Sequence, residues 1–375
     1  MRVAHFDHAA HYSRDKAAID EAIQRVLEAG TPIMGPAVQE FERAFAAYCD
    51  SDYAVGVMSG TAALQLALAA LELQPGDEVV TVANSDIPTS HVITHAGATI
   101  VWADINPATY NLDPDAFARA ITPRTRAVLP VHLYGVPAQM DRIGEIAEER
   151  GIAVVEDAAI ATGATLNGQK VGSLGTLGAF STAPGKILGG ICSGGVVTTS
   201  DSDLHDKLQS LRYYGRERSA YPQGGVPWPT GSSEIGYNER LNTIDAAVLL
   251  IRLAYLDADL ATRSANAAQY RRRFEGTGIR CQTVPAGAVP AWRVFTVRVP
   301  DRDRVYAELR GQGYEVTLPY VPANHLEKCY AHLGVGRGEL PETEAFCDEL
   351  LALPCHQYLS EESVGELAEA VVGLV

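Results

Sequence analysis

The sequence predicts an α/β protein whose large domain carries a mainly parallel sheet covered by helices, followed by a smaller α+β domain. Three observations predict this. Short β-branched runs alternate with segments of helical period through the first two-thirds of the chain, the pattern of βαβ units. Near residue 255 that alternation gives way to a different texture. The chain has 375 residues, whereas single hydrophobic cores stop growing at roughly 250–300 residues.

In order along the chain, Val38–Ala47 has the period of an amphipathic helix and Ala54–Val57 that of a short buried strand. Thr61–Leu71 follows as a helix and Glu78–Val82 as a strand. Ile100–Ala103, Ala127–Val131 and Ile152–Val155 are further buried strands with helical segments between them. Gly178–Ser181 and Gly194–Thr199 make a strand pair around a glycine-rich loop. Ile244–Ala268 is one continuous helical pattern leading out of the large domain, and Tyr221–Ser233, rich in glycine and proline, is an exposed loop. A strand at Arg293–Val299, a helix at Arg302–Gly311, a strand at Tyr314–Pro319 and a helix at Ser360–Val375 complete the second domain. The division expected is 1–255 for the large domain, with an N-terminal helical segment, and 256–375 for the small one.

Composition narrows the partners. An apolar fraction of 47% and a charged fraction of 20% are those of an ordinary globular enzyme. A formal charge of −16 repels phosphate backbones and anionic lipid, so neither nucleic acid nor membrane is expected as a partner. No stretch approaches the ~20 apolar residues of a membrane span, and the polar start, MRVAHFDHAAHYSRDK, has no apolar signal core. Six scattered cysteines without a CxxC pair point to reduced thiols in the cytoplasm and to no metal framework.

Three short segments carry chemistry. In Ile152-Ala-Val-Val-Glu-Asp157 an apolar strand runs into an acidic pair, which places Asp157 at a buried strand end, where a carboxylate is costly without a cation or donors. Alone, it is equally an Asp capping the next turn. In Ser181-Thr-Ala-Pro-Gly-Lys186 the Gly-Lys pair is no Walker A loop, since Phe180 and Ile187 stand where that motif needs Gly and Ser or Thr. A lysine between apolar neighbours in a tight loop suits an amine nucleophile of lowered pKa, and a surface lysine is the plain alternative. Ser59-Gly60-Thr61, between a strand and a helix, presents free N–H groups to an anion, or is an ordinary N-cap. Together, an anion cradle, a strand-end Asp and a loop Lys are what a pyridoxal phosphate site needs: a carboxylate for the ring nitrogen and an amine for the aldehyde.

Those residues sit in blocks that resemble the DegT/DnrJ/EryC1/StrS family of aminotransferases. The resemblance runs from "IMGPAVQEFERAFAAY" through "SGTAALQLALAAL", "HAGATIVWADI", "VLPVHLYGVPAQMD", "VVEDAAIATGA", "VGSLGTLGAFS", "SGGVVTT" and "IGYNERLNTIDAA" to "LALPCHQYLSEE". It implies the fold type I architecture of pyridoxal-phosphate transferases, with a sheet of the seven-stranded type. It implies Lys186 as the Schiff-base lysine and proton carrier, Asp157 as partner of the pyridine nitrogen, and Gly60, Thr61 and Ser181 at phosphate-binding positions. Asn238 matches the residue that reaches the phosphate from a neighbouring subunit, which implies a homodimer with shared active sites. Arg240, Tyr320 and His325 fall where members contact substrate, and His132 and Tyr134 where they pack near the sheet.

The chain also departs from the family pattern. Asp86 stands where an aromatic residue usually stacks on the cofactor ring, and Ile160 where a glutamine usually follows "EDAA". Met58 precedes "SGT" in place of Asn, and Ser193 replaces the acidic residue before the glycine pair. The resemblance implies transfer of an amino group from glutamate or glutamine to a keto group of a nucleotide-activated deoxysugar. A ketocyclitol substrate is the near alternative. A sugar dehydratase of this fold would carry histidine at position 186, and a non-catalytic member would be expected to lose the Asp157–Lys186 pair.

Overall fold

The computed structural model describes residues 3–216 and 231–375. Helix α1 (His8–Glu28), capped by the Asp7 side chain, precedes α2 (Pro36–Tyr48), which starts on a proline preset for a first turn. Strand β1 (Tyr53–Val57) leads through the Ser59 cap into α3 (Gly60–Ala70). Then come β2 (Glu78–Thr81), α4 (Ile87–His95) capped by Asp86, β3 (Thr99–Trp102), α5 (Pro114–Ala120), β4 (Thr125–Leu129), α6 (Met140–Glu148) and β5 (Ala153–Asp157). A hairpin of two-residue strands, β6 (Thr165–Leu166) and β7 (Gln169–Lys170), precedes β8 (Leu177–Ser181), β9 (Gly195–Thr199) and α7 (Ser202–Leu211).

Seven of these strands form one sheet in the order β1-β9-β8-β5-β4-β2-β3. Only β9 runs against the rest, so the carboxyl ends of the other six share one edge. Ligands of open α/β sheets bind at such an edge. The inner strands are buried at every position of β2, β8 and β9, as expected for a sheet covered on both faces.

Beyond the sheet lie α8 (Thr243–Leu253) and α9 (Leu256–Phe274). The sequence pattern over 244–268 suggests one helix, but the chain breaks at Ala254-Tyr255. Arg252 closes the last turn of α8, and Asp257 and Asp259 open the first turn of α9, charges that suit a stop and a restart. Then β10 (Arg280–Cys281), β11 (Ala288–Val289), β12 (Val294–Arg298), α10 (Arg302–Gly311), α11 (Pro341–Glu349), β13 (Leu350–Pro354) and α12 (Glu361–Val372) follow.

Strands β10, β12 and β13 form an antiparallel sheet, and β11 joins the β6–β7 hairpin. A separate apolar core, with Tyr270, Phe274, Phe295, Val305 and Leu367, packs this second sheet against α9, α10 and α12. The strand expected at 314–319 is not formed. Tyr314 and Thr317 make only single bridges, to Val3 and Ala352, and Pro319 has no N–H to extend a ladder. The expected loop at 221–233 lies, except for its last three residues, outside the described residues. All six cysteines are unpaired, and no described helix is long and apolar enough to cross a membrane.

Candidate active site

The carboxyl edge of the large sheet encloses a cavity of about 220 Å³. Each strand that reaches it contributes the residues just past its end. Ser59, Gly60 and Thr61 follow β1, Ser85 and Asp86 follow β2, and Val131 follows β4. Asp157 closes β5, with Ala159 and Ile160 after it, and Ser181 closes β8, with Lys186 in the loop beyond.

Asp157 is buried, and two donors reach its carboxylate. Thr89 Oγ1 donates to Oδ2 at 2.8 Å and the Ala159 N–H donates to Oδ1 at 3.2 Å. Thr89 is itself 2.8 Å from Ser85 Oγ, and since its proton goes to Asp157, Ser85 is the donor of that pair. Burial raises the Asp157 pKa above the usual carboxylate range, and the two hydrogen bonds and the charge of Lys186 only partly offset it. A cation held against Asp157 would stabilise its ionised form.

Lys186 experiences the opposite pressure. Burial and then the charge of Arg293 push its amine below the ordinary lysine range, against the pull of Asp157 and Asp86. Its loop is tied down on both sides. The Lys186 N–H donates to Ala183 O at 3.0 Å, and the Gly190 N–H donates to Thr182 O at 2.7 Å. From α8, Asp245 accepts the N–H groups of Ile191 (2.7 Å) and Cys192 (3.2 Å), and Arg252 Nη1 donates to the carbonyls of Gly189 and Gly190. Glycine is required at 190, because a Cβ there would lie 2.3 Å from Asp245 Oδ1.

The third part is the start of α3. The Ser59 hydroxyl accepts the Ala62 N–H at 3.0 Å, which leaves the first N–H groups of the helix directed to the cavity. A Cβ on Gly60 would meet the Ser181 Cβ at 2.6 Å. Glycine therefore lets the Ser181 side chain close on the helix N-terminus and form a cradle for an anion. The described residues include no group of three or more His, Cys, Asp or Glu side chains arranged to hold a metal ion.

A sequence profile of the DegT/DnrJ/EryC1/StrS aminotransferase family matches residues 13–372. The chain belongs to that family. A dTDP-3-amino-3,4,6-trideoxy-alpha-D-glucose transaminase of Streptomyces venezuelae is 40% identical over 372 residues, covering 99% of this chain and 95% of that protein. Among solved structures, DesV of S. venezuelae, in complex with a ketimine intermediate, superposes with a TM-score of 0.94 at 40% identity, covering 100% of this chain and 98% of that one. The PLP form of Spr1654 from Streptococcus pneumoniae superposes with a TM-score of 0.88 at 27% identity, with 96% of each chain covered. The seven-stranded sheet and its flanking helices are the fold type I architecture of this DegT/DnrJ/EryC1/StrS group.

Of the residues singled out in the sequence, Gly60, Thr61, Asp86, Asp157, Ile160, Ser181, Lys186 and Tyr320 all line the one cavity. Asn238 and Arg240 do not. They run beside the end of β1, where Arg240 pairs with Val57, donates from Nε to Asn238 Oδ1 at 3.0 Å and lies over the rings of Tyr213 and Tyr214. His325 is buried away from the cavity, against Trp102, with Nε2 3.2 Å from Glu344. His132 accepts the Ala138 N–H on Nδ1, so its Nε2 carries the proton donated to Glu156 at 2.9 Å. Tyr134 is buried beside it.

Sequence reasoning missed Thr89, Arg293 and the Asp245–Arg252 pair. The last left a trace, two charged residues seven apart on the apolar face of one helix. Arg293 left another, a charge directly before the buried strand Val294–Arg298. Nothing in the sequence marks Thr89 among the hydroxyls around it.

Proposed function

We propose that this family member is a pyridoxal-phosphate-dependent transaminase moving an amino group from glutamate or glutamine onto a keto group of a nucleotide-linked deoxysugar, as a cytoplasmic homodimer. The observation that carries the reading is that Asp157 and Lys186, two groups whose protonation burial disturbs in opposite directions, share one cavity with an anion cradle. The residues fit the cofactor on each count. Gly60 lets Ser181 close on the start of α3 to form a cradle for a phosphate, Asp157 offers a carboxylate short of donors, and Lys186 offers an amine held below its ordinary range.

When bound, the cofactor supplies an aldehyde to hold amines and a ring that withdraws electrons from the carbon losing its proton. The chain supplies the rest. Ser59, Gly60, Thr61 and Ser181 hold the phosphate through N–H and hydroxyl donors. Asp157, fixed by Thr89 and Ala159, would hold the protonated ring nitrogen through its carboxylate. Lys186 Nζ would hold the aldehyde, and its free amine would take up and return a proton in both half-reactions. Ile160 offers the ring an apolar wall, and Asp86 stands at the cavity rim with its carboxylate exposed.

The homodimer reading is supported by Asn238, exposed beside the cradle yet outside the cavity of its own chain. The substrate reading is supported by the transaminase of S. venezuelae, matched over nearly all of both chains. The test is borohydride reduction of the purified protein followed by peptide mapping, which should place the cofactor on Lys186. A screen of nucleotide-linked keto-sugars and ketocyclitols with both donors then follows. Label on another residue, or none, overturns the cofactor assignment, and turnover of ketocyclitols alone overturns the sugar.

A further inference from the structure

Arg293 enters the site so far only through its charge on Lys186, and its surroundings are unlike those of the buried arginines. Arg212 is paired with Glu42 and with the Gly56 carbonyl. Arg252 holds the Gly189 and Gly190 carbonyls. Arg263 donates to the carbonyls of Trp292 and Cys355 and to Gln357, and Arg302 to the carbonyls of Cys347 and Leu350. Arg293 Nη1 is buried and has no hydrogen-bond partner. The groups that act on its charge are Tyr320 and Cys355, and no carboxylate is among them. A guanidinium nitrogen withdrawn from water without a counter-charge is set to receive an anion.

Its position says which kind. Arg293 Nη2 lies 3.8 Å from the point where Gly185 would carry a Cβ, so the guanidinium packs on the residue next to Lys186. Tyr320 lines the cavity, and its ring lies 6.0 Å from that of Tyr134. The Tyr320 backbone has φ of +64°, a conformation that costs a non-glycine residue energy and that proteins retain where a side chain must be aimed.

We propose that Arg293 and Tyr320 form the subsite for the α-carboxylate of the amino donor. This rests on the transaminase reading above. Three anions enter such a reaction. The cofactor phosphate has its cradle at Gly60 and Ser181. The diphosphate of a nucleotide-linked sugar hangs from the anomeric carbon, separated from the keto carbon by part of the sugar ring. The α-carboxylate of an amino acid is bonded to the same carbon as the amine that exchanges with Lys186, so its receptor must stand beside that lysine. The planar fork of arginine suits a carboxylate through two parallel hydrogen bonds, and the Tyr320 hydroxyl adds a third donor.

The experiment compares the wild-type holoenzyme with Arg293→Gln and Arg293→Lys. Single-turnover absorbance is followed with L-glutamate, with 4-aminobutyrate (glutamate without its α-carboxylate) and, in the opposite direction, with the amino-sugar product. Arg293→Gln is expected to weaken glutamate by about 10–100-fold more than the other two amines, the range for removing one charged hydrogen-bond partner, while all three share the smaller effect of its charge on Lys186. Arg293→Lys should recover part of the loss. Calorimetric binding of 2-oxoglutarate to apoprotein and holoenzyme is measured in parallel. If no donor turns over but 2-oxoglutarate binds in an Arg293-dependent way, the transaminase reading falls and the carboxylate subsite stands. Equal losses for all three amines, a loss confined to the amino-sugar, or 2-oxoglutarate binding unaffected by the substitution each overturn the proposal.

Discussion

Glu156 and Asp157 are neighbours at the end of β5, and their side chains leave the strand on opposite faces. Both are buried. Glu156 receives four donors: His132 Nε2 at 2.9 Å and the N–H groups of Gly172, Leu174 and Gly175 at 2.7–2.8 Å. Asp157 receives two, and burial raises its pKa. The saturated carboxylate fastens the loop that leads into β8. The undersaturated one faces the cavity, with capacity left for a ligand. Adjacent residues of similar chemistry thus divide structure from function by the number of donors the fold supplies to each.

The sharpest way to break that contrast is to remove each carboxylate in turn. Asp157→Asn should leave the unfolding midpoint nearly unchanged and reduce turnover by about 10²–10⁴-fold, the range attributed to correctly placed protonation. Comparable loss of stability and activity would erase the distinction. Glu156→Gln should do the reverse, because an amide in that position meets four donors with one acceptor oxygen. The expected cost is about 3 kcal/mol in denaturant unfolding, with cofactor absorbance retained in the protein that stays folded.

A smaller effect is expected from Thr89→Val. It removes one of two donors to Asp157 and leaves Ser85 without its acceptor, so the carboxylate should be harder still to ionise. Cofactor affinity should fall by about tenfold, the worth of a single hydrogen bond to a charged group, and the loss should grow at lower pH. Equal affinity across pH would show that Thr89 only packs.

A last test concerns Asp245, another buried carboxylate, whose Oδ2 has no partner. Its pKa is raised from 3.8 to about 6, first by burial. The folded state therefore holds a proton that the unfolded chain releases between those values. The stability this provides at low pH is lost as pH rises through about 6, an effect of about 2–3 kcal/mol. Asp245→Asn keeps one acceptor for the Ile191 and Cys192 N–H groups and should remove this dependence. Denaturant unfolding of both proteins from pH 3.5 to 7 checks it, and parallel slopes would show that folding leaves the Asp245 pKa unchanged.

Much of this was legible from the residues. Each β-branched run placed a strand of the large sheet to within two residues, because buried parallel strands are apolar at every position and helices separate them. Lys186, Asp157 and Gly60 stood out because a charge or a glycine broke an apolar pattern at a strand end. Less legible was whatever depends on partners distant in the chain. The single bridges at Tyr314 and Thr317 look like a strand in sequence, since alternation does not show whether a neighbour is free to pair. Thr89 meets Asp157 across 68 residues, and the Asp245 contact with the lysine loop spans 54, distances over which no local pattern carries information.

The close approach of Gly60 to Ser181 joins two chain segments into a single steric unit. A methyl at position 60 can be admitted only if position 181 shrinks at the same time, so Gly60→Ala should be rescued in part by Ser181→Gly. The floor of the anion cradle can change only by paired steps, which makes it slower to diversify than the loops that surround it.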